Sequence, residues 1–336
     1  MRASFLFIFA VAAGCSEAKD EKASPLSSGL SAESPTLPSP SPGALVLQRF
    51  ECNRCHAGTG SGDAPPDKEC VGCHQRIISG NIEAEPALLR KWRGNLHSLP
   101  LAPTLSSLHL KLKRSWVRDQ LLQPVDVRPA LEASMPRLRM SVKEAELLAA
   151  ALVPVEAPER IFTKMEAVRG KRLFEKLVCG ACHAFGDKPR LQLPQAASIG
   201  GGTPAGEALL LAPDLFHTRS RFQSGRLVPW LLHPEEISPK TQMPNFKLTE
   251  SEATSLAAYI WLAEAKPAPL PPMPKRLALL ERRVGWDEVF ESVFKKVCWH
   301  CHSSSDLARG DGGVGNTGGF GFPAKGLDLS SYEAIR

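Results

Sequence analysis

Apolar residues recur at helical spacing behind two polar starts. Ala145, Leu148, Ala149 and Leu152 follow Ser141 and Glu144; Ala253, Leu256, Ala257 and Ile260 follow Thr249 and Glu252. Steps of three and four put each set on one helix face, and Ser or Thr with Glu three residues later is a capping box. Two amphipathic helices are therefore predicted, each behind its cap. Shorter helical patterns stand upstream: Ala44-Leu45-Val46-Leu47 after Gly43, and Leu173, Phe174 and Leu177 after Gly170. An apolar run from Phe5 to Ala13 is too short to span a bilayer. From Ser16 to Pro42 the chain is rich in Ser, Pro, Ala and Glu, with few large apolar groups. Such a stretch cannot bury enough surface to offset its ordering entropy, and a flexible tether is expected there.

The two amphipathic helices close two copies of one longer pattern. The first copy runs Ala102-Pro103-Thr104-Leu105, then Leu121-Leu122-Gln123-Pro124, then Met135-Pro136 and onward to Glu144. The second runs Ala212-Pro213-Asp214-Leu215, then Leu231-Leu232-His233-Pro234, then Met243-Pro244 and onward to Glu252. From each Met onward the copies align without a gap.

Eight of the nine cysteines fall in four Cys-x-x-Cys-His runs: Cys52/Cys55/His56, Cys70/Cys73/His74, Cys179/Cys182/His183 and Cys298/Cys301/His302. This run is the attachment signal for a c-type haem. Two thiols add to the two vinyl groups on one porphyrin edge, and the next residue must reach the iron. Cysteines three apart stand one helical turn apart, which leaves the adjacent His as proximal ligand. Four covalent haem c groups are expected, with His56, His74, His183 and His302 on the irons. Gly43 and Gly170 each stand nine residues before the first Cys of a motif.

The order of helix, Cys-x-x-Cys-His, loop, Met-Pro and closing helix resembles the class I cytochrome c family over residues 43–155 and 156–265. The resemblance implies an all-α fold of tandem cytochrome c-like domains, with helices packed around covalent haems and long irregular loops. It implies a first helix packed across the closing one, and a Met thioether as distal ligand. Met243 then faces the iron of His183, and Met135 serves the first domain; Met140 and Met165 are assigned to packing. The expected organisation is a signal peptide over 1–14, the tether over 15–42, a dihaem domain over 43–155 and a monohaem domain over 156–265. A Pro-rich linker over 266–284 leads to a partial third unit with the fourth haem over 285–336.

The first domain departs from the family in carrying two motifs, and two pairings are open for Met135. The Gly43-to-Cys52 spacing matches Gly170-to-Cys179, which makes Cys52/Cys55/His56 the family's own haem and the second motif an insertion. Yet His74 lies 61 residues before Met135, close to the 60 between His183 and Met243. The first pairing is preferred, because a core helix is harder to move than a loop length. The inserted haem then needs its own distal ligand, with His97 favoured and His109 the runner-up. A distal His would leave that haem at lower potential than Met-ligated neighbours. For the fourth haem the ligand stays open among Met273, His217, His233 and none. The segment Gly326 to Glu333 looks like the middle of another unit.

Ala12-Ala13-Gly14-Cys15 resembles the lipobox of bacterial lipoproteins, although the usual Leu is replaced by Ala12. The resemblance implies a lipid on Cys15 and an exported protein on the periplasmic side of a bacterial membrane. The net charge of +6 is no nucleic-acid signature, since four haems bring carboxylates of their own. The basic run Lys111 to Arg118 is a solvated face, a set of partners for those carboxylates, or a docking patch. Nothing here resembles a nucleophile triad, a P-loop or a paired-carboxylate site. The expected function is electron transfer between a redox donor and acceptor, not substrate conversion. The alternatives are a peroxidase-like oxidoreductase with an open fourth iron, and a zinc module on Cys52, Cys55, Cys70 and Cys73.

Overall fold

The computed structural model describes residues 40–65, 68–96, 102–129, 131, 135–191, 209–269, 275, 277–298, 302 and 327–336. Cys15, His97, Met273 and Cys301 lie outside the described residues, as do the signal peptide and tether. Among the described residues the regular structure is helical, with no strand longer than an isolated bridge. None of these helices is long and apolar enough to cross a membrane.

Helix α1 (Pro42–Arg49) starts where Ser41 caps it, its hydroxyl accepting from the Ala44 amide at 3.2 Å. Proline in the first turn forfeits no helical hydrogen bond. Helices α2 (Cys70–Ser79) and α3 (Pro86–Asn95) follow, then α4 (Arg114–Leu122) and α5 (Val142–Leu152). Helix α5 opens on the expected capping box of Ser141 and Glu144. The second copy brings α6 (Lys164–Lys176), α7 (Ser224–Leu232) and α8 (Glu250–Leu262), the last on the box of Thr249 and Glu252. Helix α6 adds a box that sequence reading missed, Thr163 with Glu166.

In each copy the first helix crosses the closing one, α1 on α5 and α6 on α8. The glycines nine residues before the cysteines mark these crossings. A Cβ on Gly43 would lie 2.3 Å from the Ala151 Cβ, and one on Gly170 would lie 1.8 Å from the Ser255 carbonyl oxygen. Only hydrogen fits. Around the crossings lie Val46, Leu47 and Phe50 with Ala145, Leu148 and Ala149, and Ala253, Leu256, Ala257 and Ile260 with α7's Leu227, Val228 and Leu231. These residues form one continuous apolar core through both copies. Met140 packs against it as expected, but Met165 is 68% exposed on α6 and packs nothing into the core.

The capping boxes give a first testable consequence. The Glu166 carboxylate accepts from the Thr163 amide and hydroxyl at 2.8 Å each, which holds its pKa below the usual value. That contribution is full above the ordinary carboxylate range and fades as pH falls through the lowered value. Thr163→Ala is expected to cost about 1 kcal/mol in denaturant unfolding at neutral pH, and less in acid.

The copies are joined at a seam of equivalent positions. Leu112 and Phe222, each ten residues past its Ala-Pro, pair in an antiparallel bridge. The Lys113 amide donates to the Arg221 carbonyl at 2.9 Å, and the Gln223 amide donates to the Lys111 carbonyl at 3.0 Å. The side chains follow the same exchange: Lys113 Nζ reaches the Arg219 carbonyl at 2.8 Å, and Gln223 Nε2 reaches the His109 carbonyl at 3.2 Å. The seam thus has local two-fold character. It also uses up part of the basic run. Arg114 donates through Nε to the Val153 carbonyl at 2.8 Å, so Lys113 and Arg114 both hold backbone, although Arg114 stays exposed.

Candidate haem-binding site

The first three motifs each begin with a forced turn or a cap. Glu51 and Val178, just before Cys52 and Cys179, adopt left-handed backbone with φ of 47° and 55°. Non-glycine residues visit that region rarely, and Val with its branched Cβ does so at a cost. The reversal lets Cys52–Arg54 and Cys179–Ala181 wind as single tight helical turns. The amides of His56 and His183 then donate to the Cys52 and Cys179 carbonyls at 2.9 and 3.1 Å, bringing each His under its pair of thiols.

The repeated Ala-Pro fixes the histidine rings. His56 Nδ1 lies 2.8 Å from the Pro103 carbonyl, and His183 Nδ1 lies 2.8 Å from the Pro213 carbonyl. A carbonyl only accepts, so Nδ1 carries the proton and Nε2 keeps its lone pair for a metal. Two residues on, the Leu105 and Leu215 amides donate to the Ala57 and Ala184 carbonyls at 2.9 and 3.0 Å. Each histidine is therefore gripped through ring and backbone. Burial lowers the pKa of both rings, keeping them neutral and able to ligate.

The fourth motif repeats this grip. His302 Nδ1 stands 3.2 Å from the Leu327 carbonyl, and the Leu329 amide donates to the His302 carbonyl at 2.8 Å. Asp328 accepts from the Ser330 amide at 2.8 Å, as Asp214 accepts from the Phe216 amide at 2.8 Å. Leu327-Asp328-Leu329 is the counterpart of Pro213-Asp214-Leu215. This bears on the likeness of the Gly326-to-Glu333 segment to the middle of a unit.

The second motif is built differently. Cys70, Cys73 and His74 stand on α2, whose first turn is capped by Glu69 accepting from the Gly72 amide at 2.8 Å. Its first thiol hydrogen-bonds to Cys55 of the first motif, so the two motifs meet sulfur to sulfur. That bond, then burial, raises the Cys70 pKa; burial raises Cys73 and holds Cys52 and Cys179 at about 11. Among the described residues no three His, Cys, Asp or Glu side chains are grouped to hold a metal ion.

The distal candidates are divided. Met135 and Met243 both sit part-buried against the core, with the Met243 amide donating to Thr241 Oγ1 at 3.2 Å. His97 lies outside the described residues. His109 stands on the turn Leu108–Leu110, whose backbone the seam engages through Gln223. His217 is tilted against Trp116 of the first copy with ring centroids 6.4 Å apart, and His233 is exposed beside Glu236. Matching grips on His56 and His183 favour Cys52/Cys55/His56 as the motif equivalent to the third.

Residues 167–263 match the family model described as Cytochrome c. Over that stretch the chain is similar to cytochrome c. The stretch covers most of α6 with Gly170, the Cys179/Cys182/His183 turn, Met243 and α8, which are the parts assembled above. No curated protein and no solved structure matches the chain. A cytochrome c domain implies covalently bound haem c and haem-based electron transfer. The donor set fits such a group: two part-buried thiols, a neutral imidazole with Nε2 available, and a thioether on the same core.

Proposed function

We propose that the chain is an exported tetrahaem c-type cytochrome, lipid-anchored at Cys15, which passes electrons between a redox donor and an acceptor outside the cytoplasmic membrane. The observation that carries this reading is the shared histidine grip. His56 and His302 repeat the geometry of His183, which lies inside the stretch similar to cytochrome c. When bound, haem supplies a reversible one-electron iron couple. The chain's residues do the rest. The eight motif cysteines tether the porphyrins, and His56, His74, His183 and His302 present imidazole nitrogen to the irons. Backbone carbonyls aim three of those rings and raise their basicity. Met135 and Met243 would offer thioethers to the irons, a ligand type that favours the reduced state, and His97 would serve the inserted haem.

Haem quantification beside the intact mass of the exported protein tests the reading. Four haems per chain and an acyl mass on Cys15 are expected. Cys70→Ala with Cys73→Ala should lower the count by one. A colourless, folded protein with eight free thiols would defeat it.

A further inference from the structure

Charges at the seam between the two copies do not balance. Lys111 and Arg221 occupy equivalent positions in the repeat and face each other where the copies exchange backbone bonds. Lys111 Nζ stands 5.3 Å from the centre of the Trp230 ring. Burial and the nearby Arg221 pull its pKa down to about 8. Burial, then Arg128, pull Arg221 down to about 10. The carboxylate acting on Arg221 is Asp126, which is already engaged: Arg128 donates to it from Nε at 2.7 Å and from its amide at 2.9 Å. Asp214 is occupied too, accepting from the Gly186 and Phe216 amides at 2.8 Å each. Arg128 takes up the Asp126 carboxylate, and among the described residues neither Lys111 nor Arg221 has an ion-pair partner of its own. Burial of unmatched charge is strongly unfavourable, so an anion belongs there.

The place indicates which anion. The Asp214 amide donates to the Val127 carbonyl at 2.7 Å, which sets the Asp126–Arg128 segment against the residue next to Pro213. Pro213 holds His183 by its ring nitrogen. The cations therefore lie beside the third motif, although Lys111 and Arg128 come from the first copy. Haem carries two carboxylates on the edge opposite its thioether bonds, and a part-buried site selects tethered anions over hydrated free ones.

We infer that Lys111, Arg128 and Arg221 form an anion seat at the seam that holds carboxylate groups of the haem attached at Cys179 and Cys182. The first copy thereby completes the haem cage of the second. This rests on haem attachment at that motif.

Redox titration of the full-length holoprotein, with a haem count on each sample, tests the seat. The seam bond uses the Arg221 carbonyl and not its guanidinium, so Arg221→Gln leaves that bond in place. Arg128 is a quarter exposed and supplies the second variant. Removing a cation beside a haem destabilises the reduced iron. Arg221→Gln and Arg128→Gln should each lower one midpoint potential and leave the others, while Arg221→Lys retains most of the wild-type value. Unmoved midpoints in both Gln variants, with four haems retained, would overturn the seat and leave the proposed function standing. A wild-type midpoint that shifts on adding inorganic phosphate, and no longer does so in Arg128→Gln, would assign the seat to a free oxyanion and overturn it as well. Absence of haem at Cys179 and Cys182 would overturn both.

Discussion

Gly170→Ala should destabilise the protein, reversing the sign that helix propensity assigns to it. At an open helical position, alanine in place of glycine gains roughly 1 kcal/mol. Gly94 on α3 is such a position, with nothing within 4 Å of a built Cβ. At Gly170 the new Cβ would fall 1.8 Å from the Ser255 carbonyl oxygen and 2.9 Å from the Tyr259 Cβ. The first obstacle is the backbone of α8, so no side-chain rotation relieves it and the helices must part. Overpacking of this kind costs about 3 kcal/mol, and for a core shared by both copies this lowers the melting temperature by ~10 °C. Gly43→Ala should behave alike, since its Cβ meets the Leu147 carbonyl oxygen at 2.7 Å as well as Ala151. Thermal unfolding of Gly94→Ala, Gly43→Ala and Gly170→Ala checks this directly. Equal stabilisation of all three would mean that the helices do not cross as described.

The second large effect is electronic. On the proposed ligand set, Met243→His exchanges a thioether for a stronger σ-donor that favours oxidised iron. Axial ligands tune haem potentials over ~0.8 V, and a fall on the order of 0.2 V is expected for one haem of the four. Met243→Ala should leave that iron able to bind carbon monoxide. Met140→Leu and Met165→Leu serve as controls, because one packs the core and the other points to solvent. The idea fails if Met243→His leaves every midpoint in place while Met140→Leu or Met165→Leu moves one. Met135→His should repeat the effect, and the haem whose potential falls identifies its partner in the first copy.

Much of the site was legible because its chemistry is local. A Cys-x-x-Cys-His run carries tether and ligand within five residues, and a capping box within four. Gly43 and Gly170 were visible as a matched spacing, but their cause was not, since Ala151 and Ser255 lie far along the chain. The left-handed turns at Glu51 and Val178 carried no signal, because neither residue type prefers that backbone. The carbonyls holding His56 and His183 had one, the repeated Ala-Pro, whose meaning appeared only when the chain folded back. The basic run left its role open for a related reason. Composition counts charges, but whether a lysine meets water, a carbonyl or an aromatic ring depends on what packs over it.

The linear order of residues alone determined which side chains could hold haem, where the amphipathic helices run and that two segments are copies. Each of those is set by neighbours within a turn or two, where the geometry is covalent or helical. Tertiary structure alone decided that the copies meet through Leu112 and Phe222, that Cys55 touches Cys70, and that Arg221 comes near both Lys111 and Arg128. Those contacts join residues 15 to 110 positions apart, and only the burial of a common core brings them together.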